Sequence, residues 1–79
     1  MTTYQATLYK AEYIDEELGW DIGELMFKSS VTGDPSVAMQ ELDFYDPVYP
    51  NWFAIMKIME DGVVVENEWF DCSVVDVEY

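Results

Sequence analysis

Carboxylates are the side chains that could do chemistry in this chain. Asp and Glu number 17 in 79 residues, against three Lys, no Arg and no His. Two carboxylates can hydrolyse a glycosidic bond, one as acid and the other as base or nucleophile, but they need a cleft that so short a chain rarely forms. Without His or Arg, and with Cys72 as the single thiol, little remains for nucleophilic or phosphoryl-transfer catalysis. We therefore expect a protein that is not an enzyme and uses no cofactor.

One acidic cluster raises the question of a metal ion. Asp15, Glu16 and Glu17 are consecutive, and Asp21 and Glu24 follow closely. Ca²⁺ takes roughly six to eight oxygen ligands, but the acid spacing, central Gly and closing Glu of an EF-hand loop are missing. Zinc sites need His or several Cys. We predict no metal site; the cluster is either a solvated turn or part of a larger negative surface.

The composition combines high charge with a large apolar content. The formal net charge is −14, yet 51% of the residues are hydrophobic and 16% are aromatic. Disordered chains are apolar-poor, so this chain is expected to fold as one domain, 1–79, with its carboxylates outside. Such a surface favours a basic protein partner and repels nucleic acid and anionic lipid. No secretion signal or membrane-spanning run is evident, and a single Cys suits a reducing compartment, so we expect a cytoplasmic protein.

Local patterns predict the elements that position these acids. Residues 3–13 alternate and predict a strand, 15–19 an acidic turn, and 20–29 a second strand with a possible bulge at Gly23. Asp34 followed by Pro35 is a helix start, because the residue before Pro avoids helical geometry and Asp caps well. The helix should cover about 35–45.

A hairpin is predicted in the second half. Residues 52–60 could be a helix by propensity, but Asp61-Gly62 followed by three valines indicates a strand and a two-residue turn. Residues 72–79 alternate again and predict a last strand. The expected fold is α+β: an antiparallel sheet of four to five strands with one short helix packed on one face.

The turn predicts a strand register. With a two-residue loop, Glu60 faces Val63, Ile58 faces Val65, Met56 faces Asn67 and Ala54 faces Trp69, on the face expected to pack against the helix. On the other face Met59 meets Val64, Lys57 meets Glu66, Ile55 meets Glu68 and Phe53 meets Phe70. Lys57 and Glu66 would form a cross-strand ion pair.

Rows of acids on the outer face suggest a function. Same-face neighbours in a strand lie about 6.6 Å apart, a scale similar to that of phosphates along a nucleic-acid strand. The hypothesis is nucleic-acid mimicry; the alternative is an ordinary solvated sheet face. The residues expected to bind a partner are Glu66, Glu68, Asp76, Glu78, Asp15, Glu16, Glu17, Phe53 and Phe70.

In size, acidity and poverty of Lys and Arg, the whole chain resembles small phage-encoded inhibitors of host defence, the anti-CRISPR and anti-restriction proteins. The resemblance is compositional and transfers no residue role. It implies a non-enzymatic inhibitor that occupies the basic nucleic-acid groove of a defence nuclease or CRISPR effector complex in the host cytoplasm. The alternative is an acidic interaction module without mimicry, with Phe53, Ile55 and Phe70 as a homodimer seam. A halophile protein, acidic for solubility, is a third possibility.

Overall fold

The computed structural model describes residues 1–45 and 50–74. The elements in chain order are β1 (Thr2–Asp15), β2 (Gly19–Lys28), α1 (Pro35–Asp43), β3 (Trp52–Glu60) and β4 (Val63–Ser73). The four strands form one antiparallel sheet in the order β2-β1-β3-β4. β1 and β3 are therefore central, and β2 and β4 are the edges. The predicted α+β class with an antiparallel sheet is confirmed, with four strands in the described residues.

The first hairpin follows the sequence prediction closely. The Asp15 carboxylate accepts a hydrogen bond from the Leu18 amide at 2.6 Å, and Gly19 takes φ 76°. The side chain of Asp15 therefore stabilises the acidic turn. The pairing of β1 with β2 shifts between Leu25 and Ile22. This irregularity contains Gly23, where a Cβ would lie 2.8 Å from the Lys10 carbonyl oxygen. The bulge therefore needs glycine because the backbones approach too closely for a side chain.

The helix begins as predicted and ends slightly early. Asp34 is extended (φ −125°, ψ 115°), and its carboxylate accepts from the Ser36 amide at 2.9 Å. The helix stops at Asp43 rather than at 45, with Phe44 as its C-cap. Glu41 accepts from the Ser30 hydroxyl at 3.0 Å. Its carboxylate therefore ties the helix to the segment that follows β2.

The main core cluster combines alanines with larger apolar side chains. It includes sheet and helix residues: Ala6, Leu8, Ala38, Leu42, Ala54 and Met56. Phe27 and Tyr45 stack at its rim with ring centroids 4.9 Å apart. The largest side chain that is fully buried is that of Thr7, whose hydroxyl donates to the Ile55 carbonyl at 2.7 Å. Three of the six buried residues of the main core cluster are alanines.

The β3–β4 turn is confirmed, but the register beyond it was predicted wrongly. Asp61 (φ 52°) and Gly62 (φ 84°) form the two-residue turn, and the first two pairs, Glu60 with Val63 and Met59 with Val64, are as expected. The register then shifts at Val65 and again at Phe70. The observed pairs are Ile58–Glu66, Lys57–Asn67, Met56–Glu68, Ile55–Trp69, Ala54–Asp71 and Phe53–Cys72.

The shift at Val65 has a packing reason. A regular ladder would have turned Phe70 away from the helix, whereas in the structure Phe70 packs against the core cluster. Trp69 goes to the other face and meets Phe53 edge-on, with centroids 4.9 Å apart. A regular ladder would make neither the contact of Phe70 with the core nor the edge-on contact of Trp69 with Phe53. The predicted Lys57–Glu66 pair is therefore wrong, because Lys57 faces Asn67.

The predicted last strand over 72–79 also needs correction. Cys72 and Ser73 are the final residues of β4, still paired with β3. They are not the start of a separate strand. The rest of that prediction, from 75 onward, lies outside the described residues.

Candidate acidic interaction surface

The sheet has two different faces. Residues directly opposite each other in paired strands point to the same face. We call the face that carries Ala6, Leu8, Ala54 and Met56 the helix side, since the buried helix residues share its cluster. We call the opposite face, which carries Tyr9, Ile55, Lys57 and Trp69, the open face.

The register places most of the sheet carboxylates on the helix side. Glu66 lies opposite Ile58, Glu68 opposite Met56, and Asp71 opposite Ala54. Three further acids share this side: Glu12, Asp21 and Glu60. The helix adds Asp34, Glu41 and Asp43 beside them. Negative charge is thus concentrated on one side of the sheet.

Three of these acids form an evenly spaced row along β4. Glu66, Glu68 and Asp71 face Ile58, Met56 and Ala54, which are successive same-face positions of β3. Steps of two residues in a strand give about 6.6 Å between neighbours. The bulge at Phe70 is what keeps Asp71 in line, although three positions separate it from Glu68. We call Glu66, Glu68 and Asp71 the acid row; all three are exposed.

An apolar cavity opens beside the acid row. It has a volume of about 330 Å³ and lies between the end of α1 and the helix side of β3 and β4. Trp52 and Phe70 contribute aromatic walls, and Asp43 and Asp71 contribute carboxylates. An apolar cavity flanked by two carboxylates is suited to a side chain that is apolar along its stem and cationic at its tip. Sequence reasoning missed Asp43 and Asp71, because only the bulge and the helix end bring them together.

Phe53 and Phe70 do not lie on one face as predicted. Phe53 belongs to the open face with Trp69, while Phe70 packs on the helix side and lines the cavity beside Asp71. Phe70 therefore adjoins the acid row, but Phe53 is separated from it by the sheet. The expected association of Phe53 with Glu66 and Glu68 was wrong, as was the homodimer seam that joined Phe53 to Phe70.

The other predicted partner-binding acids lie elsewhere. Asp15, Glu16 and Glu17 are exposed at the tip of the β1–β2 hairpin. Asp71 pairs with Ala54, and Ala54 pairs with Leu8. The turn begins at Asp15, which lies about 23 Å beyond Leu8 along β1 at ~3.3 Å per residue. The structure keeps these two acidic regions apart. Asp76 and Glu78 lie outside the described residues.

Three further findings bear on the site. Among residues 1–45 and 50–74, no group of three or more acidic, His or Cys side chains is arranged to hold a metal ion. The one described helix is too short and polar to cross a bilayer. No protein-family model, curated protein or solved structure matches this chain.

Proposed function

We propose that this protein is a non-enzymatic inhibitor that presents the acid row to a basic nucleic-acid-binding groove and thereby takes the place of a polynucleotide. The observation that carries the proposal is the row of Glu66, Glu68 and Asp71, exposed and evenly stepped along one strand. A β-strand in a sheet holds these groups at set intervals, so little ordering is needed when they bind. The partner expected is a defence nuclease or CRISPR effector complex.

The spacing supports mimicry because it is of the same scale as the nucleic-acid backbone. Each strand of a duplex carries a phosphate for every ~3.4 Å of axis, and the winding path between phosphates is longer than this rise. The acid row places a carboxylate about every 6.6 Å. Lys or Arg side chains arranged for successive phosphates would therefore find acceptors at comparable intervals.

The cavity beside the row supports a contact with a long basic side chain. Its aromatic walls, Trp52 and Phe70, suit the stem of an arginine or lysine, and Asp43 and Asp71 suit its charged end. Apolar burial would supply affinity that salt does not screen, while the carboxylates would supply steering and register. Binding to such a partner should weaken with salt without being abolished by it.

The test is charge reversal within the row. We expect Glu66→Lys with Glu68→Lys to reduce binding to the captured partner by at least about 30-fold, roughly 2 kcal/mol, because both contacts become repulsive. The partner is captured from a host lysate on the immobilised wild-type chain and released with salt or with duplex DNA. A captured protein that binds DNA and this chain at once would contradict mimicry.

The matched control is Glu16→Lys with Glu17→Lys at the β1–β2 turn. It changes the net charge by the same amount, at exposed positions far from the row. We expect this control to retain most of the binding, since it alters steering but not the contact. Equal losses for both doubles would mean that bulk charge, and not the acid row, drives binding. Circular dichroism of all variants checks that the fold is intact.

A further inference from the structure

The open face is a broad, largely apolar surface that no described element covers. Tyr9, Ile22, Ile55, Lys57, Asn67 and Trp69 line a shallow groove of about 400 Å³ at its centre. Trp69 is 53% exposed and Leu25, opposite Tyr9, is 42% exposed. Large apolar side chains gathered on one sheet face, with a groove between them, are typical of an interaction surface.

The open face is also nearly free of negative charge, although the protein carries −14. The strand pairs on this face run from Tyr13–Trp20 at one end of the sheet to Met59–Val64 at the other. None of the paired residues in between carries a carboxylate. Two of the three lysines, Lys28 and Lys57, lie here, opposite Thr7 and Asn67. Neither forms an ion pair with a described residue. The open face therefore suits contact with another negatively charged protein, because it presents few carboxylates that would repel it.

A second copy of this chain is such a negatively charged protein. If two copies meet through their open faces, the acid row and the other helix-side carboxylates all point outward into solvent. Any contact that used the helix side would instead bring carboxylates against carboxylates, or against an apolar face. Open face to open face is thus the arrangement of two copies that costs the least electrostatic repulsion.

The available area is sufficient for a specific interface. β3 has nine residues and spans about 30 Å at ~3.3 Å per residue. Four strands spaced ~4.8 Å apart cover about 19 Å. Two such faces together bury about 1,100 Å², which reaches the ~1,000 Å² expected of a biological interface. The alanine-rich core gives association a further role, since small domains often gain stability by oligomerising.

We propose that the protein forms a symmetric dimer through its open faces, with Trp69, Ile22 and Leu25, all exposed in the single chain, in the interface and the acid rows on the two outer surfaces. This inference is independent of the proposed function, because it concerns the opposite side of the sheet. Salt distinguishes the two. Screening lowers the repulsion between two bodies of charge −14, so the dimer should tighten with salt, whereas binding of a basic partner should weaken.

The experiment is sedimentation velocity of the purified full chain over roughly two decades of concentration, at low and moderate salt. We expect a concentration-dependent dimer that is favoured by added salt. Trp69→Glu and, separately, Leu25→Glu should each weaken dimerisation at least about tenfold, because each places a carboxylate in the interface. Leu25→Glu serves as the second variant because it leaves the contact between Phe53 and Trp69 intact.

Matched controls lie on the helix side. Phe44→Glu is the aromatic counterpart of Trp69→Glu, and Met39→Glu matches Leu25→Glu in exposure, at 42% for both wild-type residues. The controls should leave the dimer constant unchanged. A wild-type chain that stays monomeric throughout overturns the proposal, and so does a dimer that the controls weaken as much as the open-face variants.

Discussion

Single side chains set the boundaries of the elements that carry the acids. The carboxylate of Asp34 accepts from the Ser36 amide at the start of α1, and that of Asp15 accepts from the Leu18 amide at the first turn. These acids serve the backbone, and Asp71 likewise accepts from the Cys72 amide at 2.8 Å. Glu66 and Glu68, in contrast, accept no hydrogen bond from the described residues. A chain with so many carboxylates therefore divides them between structure and surface.

Removal of the helix cap should have a measurable cost. We expect Asp34→Ala to lower the free energy of unfolding by about 1 kcal/mol, because the Ser36 amide loses its side-chain acceptor. Asp34→Asn removes the same charge but keeps an acceptor oxygen, so it should lower the free energy of unfolding by only about a few tenths of a kcal/mol. Urea unfolding followed by circular dichroism measures both. Equal losses would show that charge, and not capping, is what Asp34 contributes.

At the scale of elements, irregularities decide which face each side chain occupies. Gly23 permits the bulge of β2 near Lys10 and Glu12, and Val65 and Phe70 mark the two shifts of β4. Each shift exchanges the faces of the residues that follow. The separation of a charged helix side from an apolar open face is therefore a result of bulges.

The glycine in β2 provides a direct test of this view. A methyl group at Gly23 would lie 2.7 Å from the Glu12 Cγ and 2.8 Å from the Lys10 carbonyl oxygen. We expect Gly23→Ala to destabilise the fold by about 1–3 kcal/mol, the range for overpacking. Gly33→Ala is the control, since its new Cβ meets nothing within 4 Å, and should change stability by less than ~0.5 kcal/mol. Similar unfolding midpoints for the two variants would contradict a tight bulge.

These irregularities also show what could be predicted from the sequence. Asp34-Pro35 and Asp61-Gly62 act through local backbone chemistry, so the helix start and the hairpin turn were predictable. The shifts at Val65 and Phe70 carry no glycine, and the one at Val65 accompanies the tertiary packing of Phe70 on the core. The acid residues Glu66 and Glu68 were identified correctly as exposed, but their face and their neighbour Asp71 were not, because the bulges determine both.

For the whole molecule, the dominant quantity is the charge of −14 on 79 residues. The Debye length shrinks from about 30 Å at 0.01 M salt to about 8 Å at 0.15 M, while the molecule measures 48 × 25 × 16 Å. At low salt nearly every carboxylate is thus repelled by the others, and at moderate salt only near neighbours interact. Folding brings these charges together, so screening should favour the folded state.

We therefore expect the urea midpoint of unfolding to rise between these two salt concentrations. Glu16→Gln with Glu17→Gln, both at an exposed turn, should reduce the dependence on salt by lowering the net charge. The comparison is made at one protein concentration, so that association does not differ between samples. A midpoint that stays constant with salt in both proteins would show that self-repulsion contributes little to stability.

The shifted edge strand β4 has a consequence for polymerisation. Its first residues, Val63, Val64 and Val65, are between 45% and 65% exposed, and a flat valine-rich edge is a template on which further strands can add to grow a fibril. In β4 the ladder is interrupted directly after the second valine and again at Phe70, and Glu66 and Glu68 follow at once. An incoming strand would meet neither a straight row of backbone partners nor a neutral surface, so the same bulges that align the acid row also protect the chain from amyloid-like growth.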